Sequence, residues 1–350
     1  MKSFEANIKK VVPYTPGEQP QNKVIKLNTN ENPYPPSKEV EKVLHNFDVD
    51  VLRLYPDPTI KELVDTIADY HGVDPEQVFA GVGSDEVLAL SFLTFFHGKK
   101  PILFPKVTYS FYKVWADLYD IPYKCTELDE NFVIEKEDFY EDNGGIIIPN
   151  PNAPTSLYME LSEIEDILKH NQDVVVIIDE AYIDYAKESA LKLLDRYENL
   201  LVIRTFSKSR SMAGMRIGYG IGSKVLIKHL NNTKHSFNSY TLNAVSIQCG
   251  KASIEDDAYF KEMIARVIET REQVKIELKS LGFTVLDSST NFLFVKHKEA
   301  NAKKLFEALK AKDIYVRHWM DEPVSDYLRI SIGTNEEMEK LIKFMKEYLN

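Results

Sequence analysis

Four apolar runs stand almost unbroken by polar positions: Pro101-Ile102-Leu103-Phe104, Ile146-Ile147-Ile148, Val174-Val175-Val176-Ile177-Ile178 and Leu200-Leu201-Val202-Ile203. Runs of this length fit strands buried on both faces, as in a parallel sheet covered by helices. Helical patterns near 110–120 and 161–170 fall between them, so strand and helix alternate. Upstream, helical stretches are predicted near 37–46 and 60–70. Val78-Phe79-Ala80-Gly81-Val82-Gly83 reads as a short strand leading into a glycine turn. Ser84-Asp85-Glu86 then opens an apolar helix over 87–97, which Gly98 closes. After Gly222 the pattern changes. A long charged helix over about 258–281 ends at Gly282. Strands at 283–286 and 292–295, a helix near 302–312, strands at 314–317 and 327–332, and a last helix from Asn335 follow. This predicts a smaller α+β domain, with the long helix as the hinge. The first thirty residues carry Pro13, Pro16 and Pro20 and few apolar pairs, so they read as an extended arm.

Composition narrows the function. The chain has 350 residues, 44% of them hydrophobic, enough for one large and one smaller domain. Its net charge is -11, and its 43 basic residues form no dense block, which argues against general nucleic-acid binding. The two cysteines, Cys125 and Cys249, and the eight dispersed histidines show no metal-ligand spacing, so no metal is expected. No apolar stretch reaches membrane-span length, and the first residues lack the apolar core of a signal peptide. A cytoplasmic location is the expectation, and two thiols suit a reducing compartment.

The candidate chemistry centres on Lys208. It follows the apolar run 200–203 within Thr205-Phe206-Ser207-Lys208-Ser209-Arg210. Burial disfavours a permanent cation there, which suits an amine used neutral to form a Schiff base with a carbonyl. Asp179, in Asp179-Glu180-Ala181-Tyr182, ends the run 174–178. An acid after one strand and a lysine after another are what pyridoxal phosphate (PLP) requires, one for its pyridine nitrogen and one for its aldehyde. Ser207 and Arg216 suit its phosphate. The turn from Gly81 to Glu86 is either a phosphate cradle of backbone N–H groups or only a tight connection. With Asp85 and Glu86 carrying the wrong sign, binding there falls to backbone N–H groups and the Ser84 hydroxyl.

Ser207-Lys208, Gly214, Arg216 and Gly218-Tyr219 resemble the S-K-x5-G-x-R-x-G-Y pattern of class II, fold-type I PLP-dependent aminotransferases. The resemblance implies a large domain with a mostly parallel seven-stranded sheet flanked by helices, plus a smaller α+β domain. Its division here would be an arm (1–30) packing on the small domain, a PLP-binding domain (31–240) and a small domain (241–350). Asp179 would pair with the ring nitrogen and Tyr182 with the ring oxygen. Tyr109 would stack on the ring, although Phe111 and Tyr112 lie close by. Ser84, Asp85, Ser207 and Arg216 would surround the phosphate. Asn150-Pro151-Asn152-Ala153-Pro154-Thr155-Ser156 departs twice from the family's N-P-x-N-P-T-G loop, at Ala153 and Ser156. Asn152 is the nearest candidate for the loop asparagine that contacts the ring oxygen.

Within that class, Val12-Pro13-Tyr14, Leu27-Asn28-Thr29-Asn30-Glu31-Asn32-Pro33, Leu54-Tyr55-Pro56-Asp57-Pro58 and Leu328-Arg329-Ile330-Ser331-Ile332-Gly333-Thr334 are similar to the histidinol-phosphate aminotransferase family. That resemblance implies a homodimer in which Tyr55 reaches the partner's PLP phosphate. Arg329 would grip the α-carboxylate of glutamate and Arg317 the distal anionic group. Tyr14 and Asn30 would line the substrate mouth. The implied reaction is ping-pong amino transfer in histidine biosynthesis, from histidinol phosphate to 2-oxoglutarate, giving imidazole acetol phosphate and glutamate. Aromatic amino-acid aminotransferase and threonine-phosphate decarboxylase remain the rival readings.

Overall fold

A computed structural model describes residues 3–349. Among these residues the strands are β1 (Ile25–Lys26), β2 (Val78–Val82), β3 (Ile102–Pro105), β4 (Tyr123–Thr126), β5 (Ile146–Pro149), β6 (Val176–Asp179), β7 (Leu200–Thr205), β8 (Ile217–Gly222), β9 (Phe283–Val285), β10 (Phe292–His297), β11 (Ile314–Tyr315), β12 (Arg317–His318) and β13 (Leu328–Ser331). Seven of them form one sheet in the order β2-β8-β7-β6-β5-β3-β4. The pairs among β7, β6, β5, β3 and β4 are parallel, and β8 runs antiparallel to both its neighbours. This is the mostly parallel seven-stranded sheet that the family resemblance implies.

Every residue of β3, β5, β6 and β7 is buried. Apolar clusters line both faces of the sheet, which is why these strands read as continuous runs. Each fully buried Ile or Leu contributes about 1.5–3 kcal/mol, so the strand centres are the most firmly held part of the chain. A second sheet, β12-β13-β10-β9, is antiparallel throughout. The helices Asp257–Ser280, Ala302–Lys310 and Asn335–Leu349 share its apolar cluster.

Several elements differ from the sequence pattern. The helix Gly83–Phe95 begins at the glycine itself, inside the expected turn. Strands β4 and β8 and the helices Lys224–Phe237 and Ala244–Glu255 do not stand out in the pattern. The second of these helices lies beyond residue 240, where the division implied by the resemblance starts the small domain. Its Ile247, Cys249, Ala252 and Ile254 nevertheless pack with Leu63, Val78 and Ile217 beside the large sheet. The arm touches both bodies. β1 pairs with β11, and Lys310 bonds Glu18 at 2.8 Å. Tyr14 stacks on Phe111 of the large body at 4.2 Å between centroids. No helix among the described residues is long and apolar enough to cross a membrane.

Candidate active site

A cleft of about 710 Å³ opens where the carboxyl ends of the parallel strands face the small sheet and the arm. Ligand sites in open α/β sheets gather at these strand ends, because the connecting loops leave backbone groups and short side chains exposed there. Lys208 enters from the loop after β7 and Asp179 from the end of β6. Ser84 and Asp85 come from the first turn of helix Gly83–Phe95, and Tyr109 from the loop after β3. Arg317 and Arg329 come from the small sheet, and Tyr14 from the arm.

Asp179 is 5% exposed. Burial pushes its carboxyl up to about 6, against hydrogen bonds from Tyr112 and the Ala181 backbone that pull it down. The Tyr112 hydroxyl donates to Oδ2 at 2.6 Å and the Ala181 N–H to Oδ1 at 3.2 Å. Tyr112 itself is fully buried among Phe92, Phe104 and Trp115, and burial raises its phenol well above the ordinary range.

The Lys208 amine donates to the Thr29 carbonyl at 3.0 Å and lies 5.8 Å from the centre of the Tyr182 ring. Asn30 joins these groups across the cleft. Its side-chain amide donates to the Tyr182 hydroxyl at 2.9 Å, and its backbone N–H donates to the Ser331 hydroxyl at 2.9 Å. Its φ of 57° is a left-handed conformation that asparagine tolerates better than most residues.

The turn after β2 is fixed by close contacts. A Cβ on Gly218 would fall 2.1 Å from the Ser84 nitrogen, so only glycine lets β8 lie against the turn. A Cβ on Gly83 would fall 2.5 Å from Arg216 Nη2. The Glu86 carboxylate accepts the Val82 N–H at 2.6 Å and so supports the turn from behind. The Asp85 carboxylate is occupied on both oxygens, by the Tyr109 hydroxyl at 2.8 Å and by Arg216 Nη2 at 3.0 Å. Arg216 Nη1 also reaches Ser207 Oγ at 3.5 Å. This end of the cleft offers helix N-terminal N–H groups, two hydroxyls and a guanidinium, which is the chemistry of an anion cradle.

At the other end Arg329 donates to the Asn28 carbonyl at 2.8 Å, while its Nε is buried without a partner. Burial lowers its affinity for the proton, and neighbouring Arg317 adds to the effect. The indole of Trp319 lines the same wall.

Two expected residues stand elsewhere. Asn152 is fully buried, and its amide donates to the Val107 carbonyl and to Thr155 Oγ1, both at 3.0 Å, while its oxygen accepts from Thr108 at 3.1 Å. Pro151, Ala153 and Pro154 face the cleft, and Asn152 does not. With all its groups committed to neighbouring loops, it is corrected from a cofactor contact to a loop fastener. Tyr55 lies outside this cleft, is 81% exposed, and stacks on Tyr240 at 4.5 Å. Sequence reading did not assign roles to Tyr112 or Trp319. Their signals were spacing: Tyr112 lies three residues after Tyr109, in the first turn of helix Phe111–Leu118, and Trp319 two residues after Arg317, on the same side of an extended segment.

Comparison with known proteins agrees with this arrangement. The sequence profile of aminotransferase class I and II matches residues 22–345. A histidinol-phosphate aminotransferase of Lactococcus lactis subsp. cremoris (strain MG1363) is 51% identical over 348 residues, covering 99% of this chain and 98% of its own. One from Clostridium beijerinckii is 49% identical over 350 residues, covering 100% and 98%. The crystal structure of the Sinorhizobium meliloti histidinol-phosphate aminotransferase in complex with pyridoxal-5'-phosphate superposes with a TM-score of 0.86 at 20% identity, over 93% of this chain and 91% of that one. Sequence and fold thus agree along nearly the full length, and the chain belongs to the class I and II aminotransferases.

Proposed function

We propose that this enzyme moves the amino group of histidinol phosphate to 2-oxoglutarate with PLP as cofactor. The observation that carries the reading is the near 50% identity, end to end, to histidinol-phosphate aminotransferases. The cleft fits PLP on its own chemistry. One end has an anion cradle in which Gly218 leaves no room for a side chain and Gly83 holds a φ of 75°, and the middle holds a buried carboxylate and an amine.

Lys208, Asp179, Tyr182 and Tyr109 would hold the ring. The Ser84 and Asp85 N–H groups, with Ser207 and Arg216, would hold the phosphate. When bound, PLP supplies an aldehyde for amines and a ring that withdraws electrons from the substrate α-carbon. The chain's own residues do the rest. Asp179 presents a carboxylate that holds a proton on the ring nitrogen. Tyr182, oriented by Asn30, donates to the ring oxygen. The Lys208 amine would be the base that takes the proton from the substrate α-carbon and the acid that delivers it to the former aldehyde carbon on the other side of the nitrogen. Arg329 fixes the α-carboxylate of glutamate as a bidentate pair. Arg317 receives the distal anion, a phosphate for one substrate and a carboxylate for the other, while Tyr14 and Asn30 shape the mouth. Because the enzyme would keep the amino group between the departure of one substrate and the arrival of the other, the kinetics should be ping-pong.

The working form is read as a homodimer in which Tyr55 completes the partner's phosphate site. Val49, Leu52 and Leu54, close to Tyr55 in the chain, and Phe237, close to its stacking partner Tyr240, are exposed apolar side chains, which supports this. The cytoplasm suits the free thiols Cys125 and Cys249.

A panel of amino donors with 2-oxoglutarate tests the substrate. Histidinol phosphate should exceed phenylalanine and tyrosine in kcat/KM, and equality would remove the specific assignment. Release of CO2 from threonine phosphate without a keto acid would mark a decarboxylase instead. The Lys208→Ala variant should lose both transamination and the visible absorbance of the bound cofactor.

A further inference from the structure

Tyr112 has one polar atom, and it lies in an apolar cage. The ring packs against Phe92, Phe104, Tyr109 and Trp115, and the side chain has no exposed surface. A buried hydroxyl without a partner costs stability, so the chain must give it one. The partner is Asp179 Oδ2, at 2.6 Å. That contact turns one carboxylate oxygen into the protein. It leaves Oδ1 with only a long 3.2 Å bond from the Ala181 N–H, on a residue that lines the cleft.

The two tyrosines at the entry to helix Phe111–Leu118 divide the work. Tyr109 ties its hydroxyl to Asp85, at the anion cradle, and Tyr112 ties its hydroxyl to Asp179, beneath the ring position. They lie three residues apart, Tyr109 in the loop before the helix and Tyr112 in its first turn, and their rings meet edge to face at 5.7 Å.

We propose that Tyr112 is a positioning residue that acts through Asp179, fixing the plane of its carboxylate and keeping it ionised against burial so that the proton stays on the cofactor's ring nitrogen. The second half of this statement rests on the PLP reading above; the first half does not. A hydrogen bond donated to a carboxylate favours the ionised form, and burial opposes it. Removing the donor therefore leaves Asp179 a stronger base, which draws the proton from the ring and weakens the electron sink.

The test uses Tyr112→Phe, which keeps the ring and deletes only the oxygen. In the cofactor-free chain, with 13C-labelled aspartate and the Asp179 signal assigned by its loss in Asp179→Asn, the carboxyl should titrate at a higher pH in the variant than in wild type. Identical titration curves overturn the proposal whatever the cofactor. In the holoenzyme, kcat should fall about 10- to 100-fold, the effect of one hydrogen bond to a charged group, while KM for 2-oxoglutarate stays within about three-fold. The pH at which the bound cofactor's absorbance changes should move as well. An unmoved absorbance profile with normal kcat overturns the link to the ring nitrogen while leaving the aminotransferase reading intact. Failure of wild type to bind PLP removes both. If Tyr112→Phe does not fold, 3-fluorotyrosine at position 112, a stronger donor of the same shape, should shift the Asp179 titration downward, and an unchanged titration overturns the proposal.

Discussion

Arg317 and Arg329 lie directly opposite each other on neighbouring antiparallel strands, and both guanidinium groups stand over the Trp319 indole, 5.5 and 5.4 Å from its centre. Two like charges placed opposite on a sheet face repel. The indole face offsets part of this, since a cation over a tryptophan ring gains about 0.5–2 kcal/mol. The Nε of Arg329 is buried without a partner in the chain. An anionic guest would supply one, and two arginines suit a guest with two anionic groups.

The first prediction separates the two arginines. Arg329→Lys keeps the charge but loses the planar fork, so kcat/KM for glutamate and for 2-oxoglutarate should fall about 30- to 1000-fold, as a loss of 2–4 kcal/mol implies. Arg317→Ala should cost a phosphorylated or dicarboxylic substrate a similar factor, yet change kcat/KM for a donor with an uncharged tail less than about three-fold. Steady-state kinetics with the two donor types checks both. An equal loss for both donors with Arg317→Ala would contradict the division.

Asn152→Ala should behave as a stability mutant. The change strands the buried Thr155 hydroxyl and the half-buried Val107 carbonyl and Thr108 hydroxyl of a second loop. Unsatisfied groups of this kind cost about 1–3 kcal/mol each, lessened by local relaxation. Unfolding in urea should show a loss of about 2–3 kcal/mol. Cofactor affinity, titrated directly, should stay within about three-fold of wild type.

Ser156→Gly should stabilise the chain. Ser156 holds a φ of 68°, a left-handed conformation that costs a side chain about 1–2 kcal/mol, and its hydroxyl is buried without a partner. Glycine removes both penalties but raises the entropy of the unfolded chain by about 0.5–1 kcal/mol. The net gain should be about 1 kcal/mol in urea unfolding, and a loss of stability would refute the strain at this position.

These cases show where the sequence was readable. Strands β3, β5, β6 and β7 could be seen because burial on both faces demands unbroken apolar runs. Lys208 and Asp179 could be placed because each ends such a run. β8 could not, since Ile-Gly-Tyr-Gly-Ile-Gly thins its apolar pattern with glycines, one of which is needed only because the Ser84 turn packs against it. The helix Ala244–Glu255 is buried around most of its girth, so it has no polar stripe to set a helical period. The orientation of Asn152 depends on which neighbouring loops meet it, and residues forty-five positions away in the chain decide that. Tyr112 was visible only as one aromatic among several. Its partner, sixty-seven residues on, is supplied by the sheet order.

The last prediction concerns acid. His71 ends the helix Lys61–His71, with its ring between Tyr70 and Tyr219 and Nε2 3.0 Å from the Tyr219 hydroxyl. Burial pushes its imidazole down to about 3, with Arg204 and Arg210 acting in the same direction and Asp184 against them. The folded value lies below the unfolded one of about 6.5. Below pH 6.5 the unfolded chain therefore takes up a proton that the folded chain refuses, so stability falls as pH drops from 6.5 towards 3. Each pH unit in that window is worth about 1.4 kcal/mol, or about 2 kcal/mol by pH 5. His71→Gln retains a polar partner for Tyr219 and cannot titrate. Wild type should lose about 2 kcal/mol more than the variant between pH 7.5 and pH 5 in urea unfolding, and parallel losses would show that His71 is protonated inside the fold.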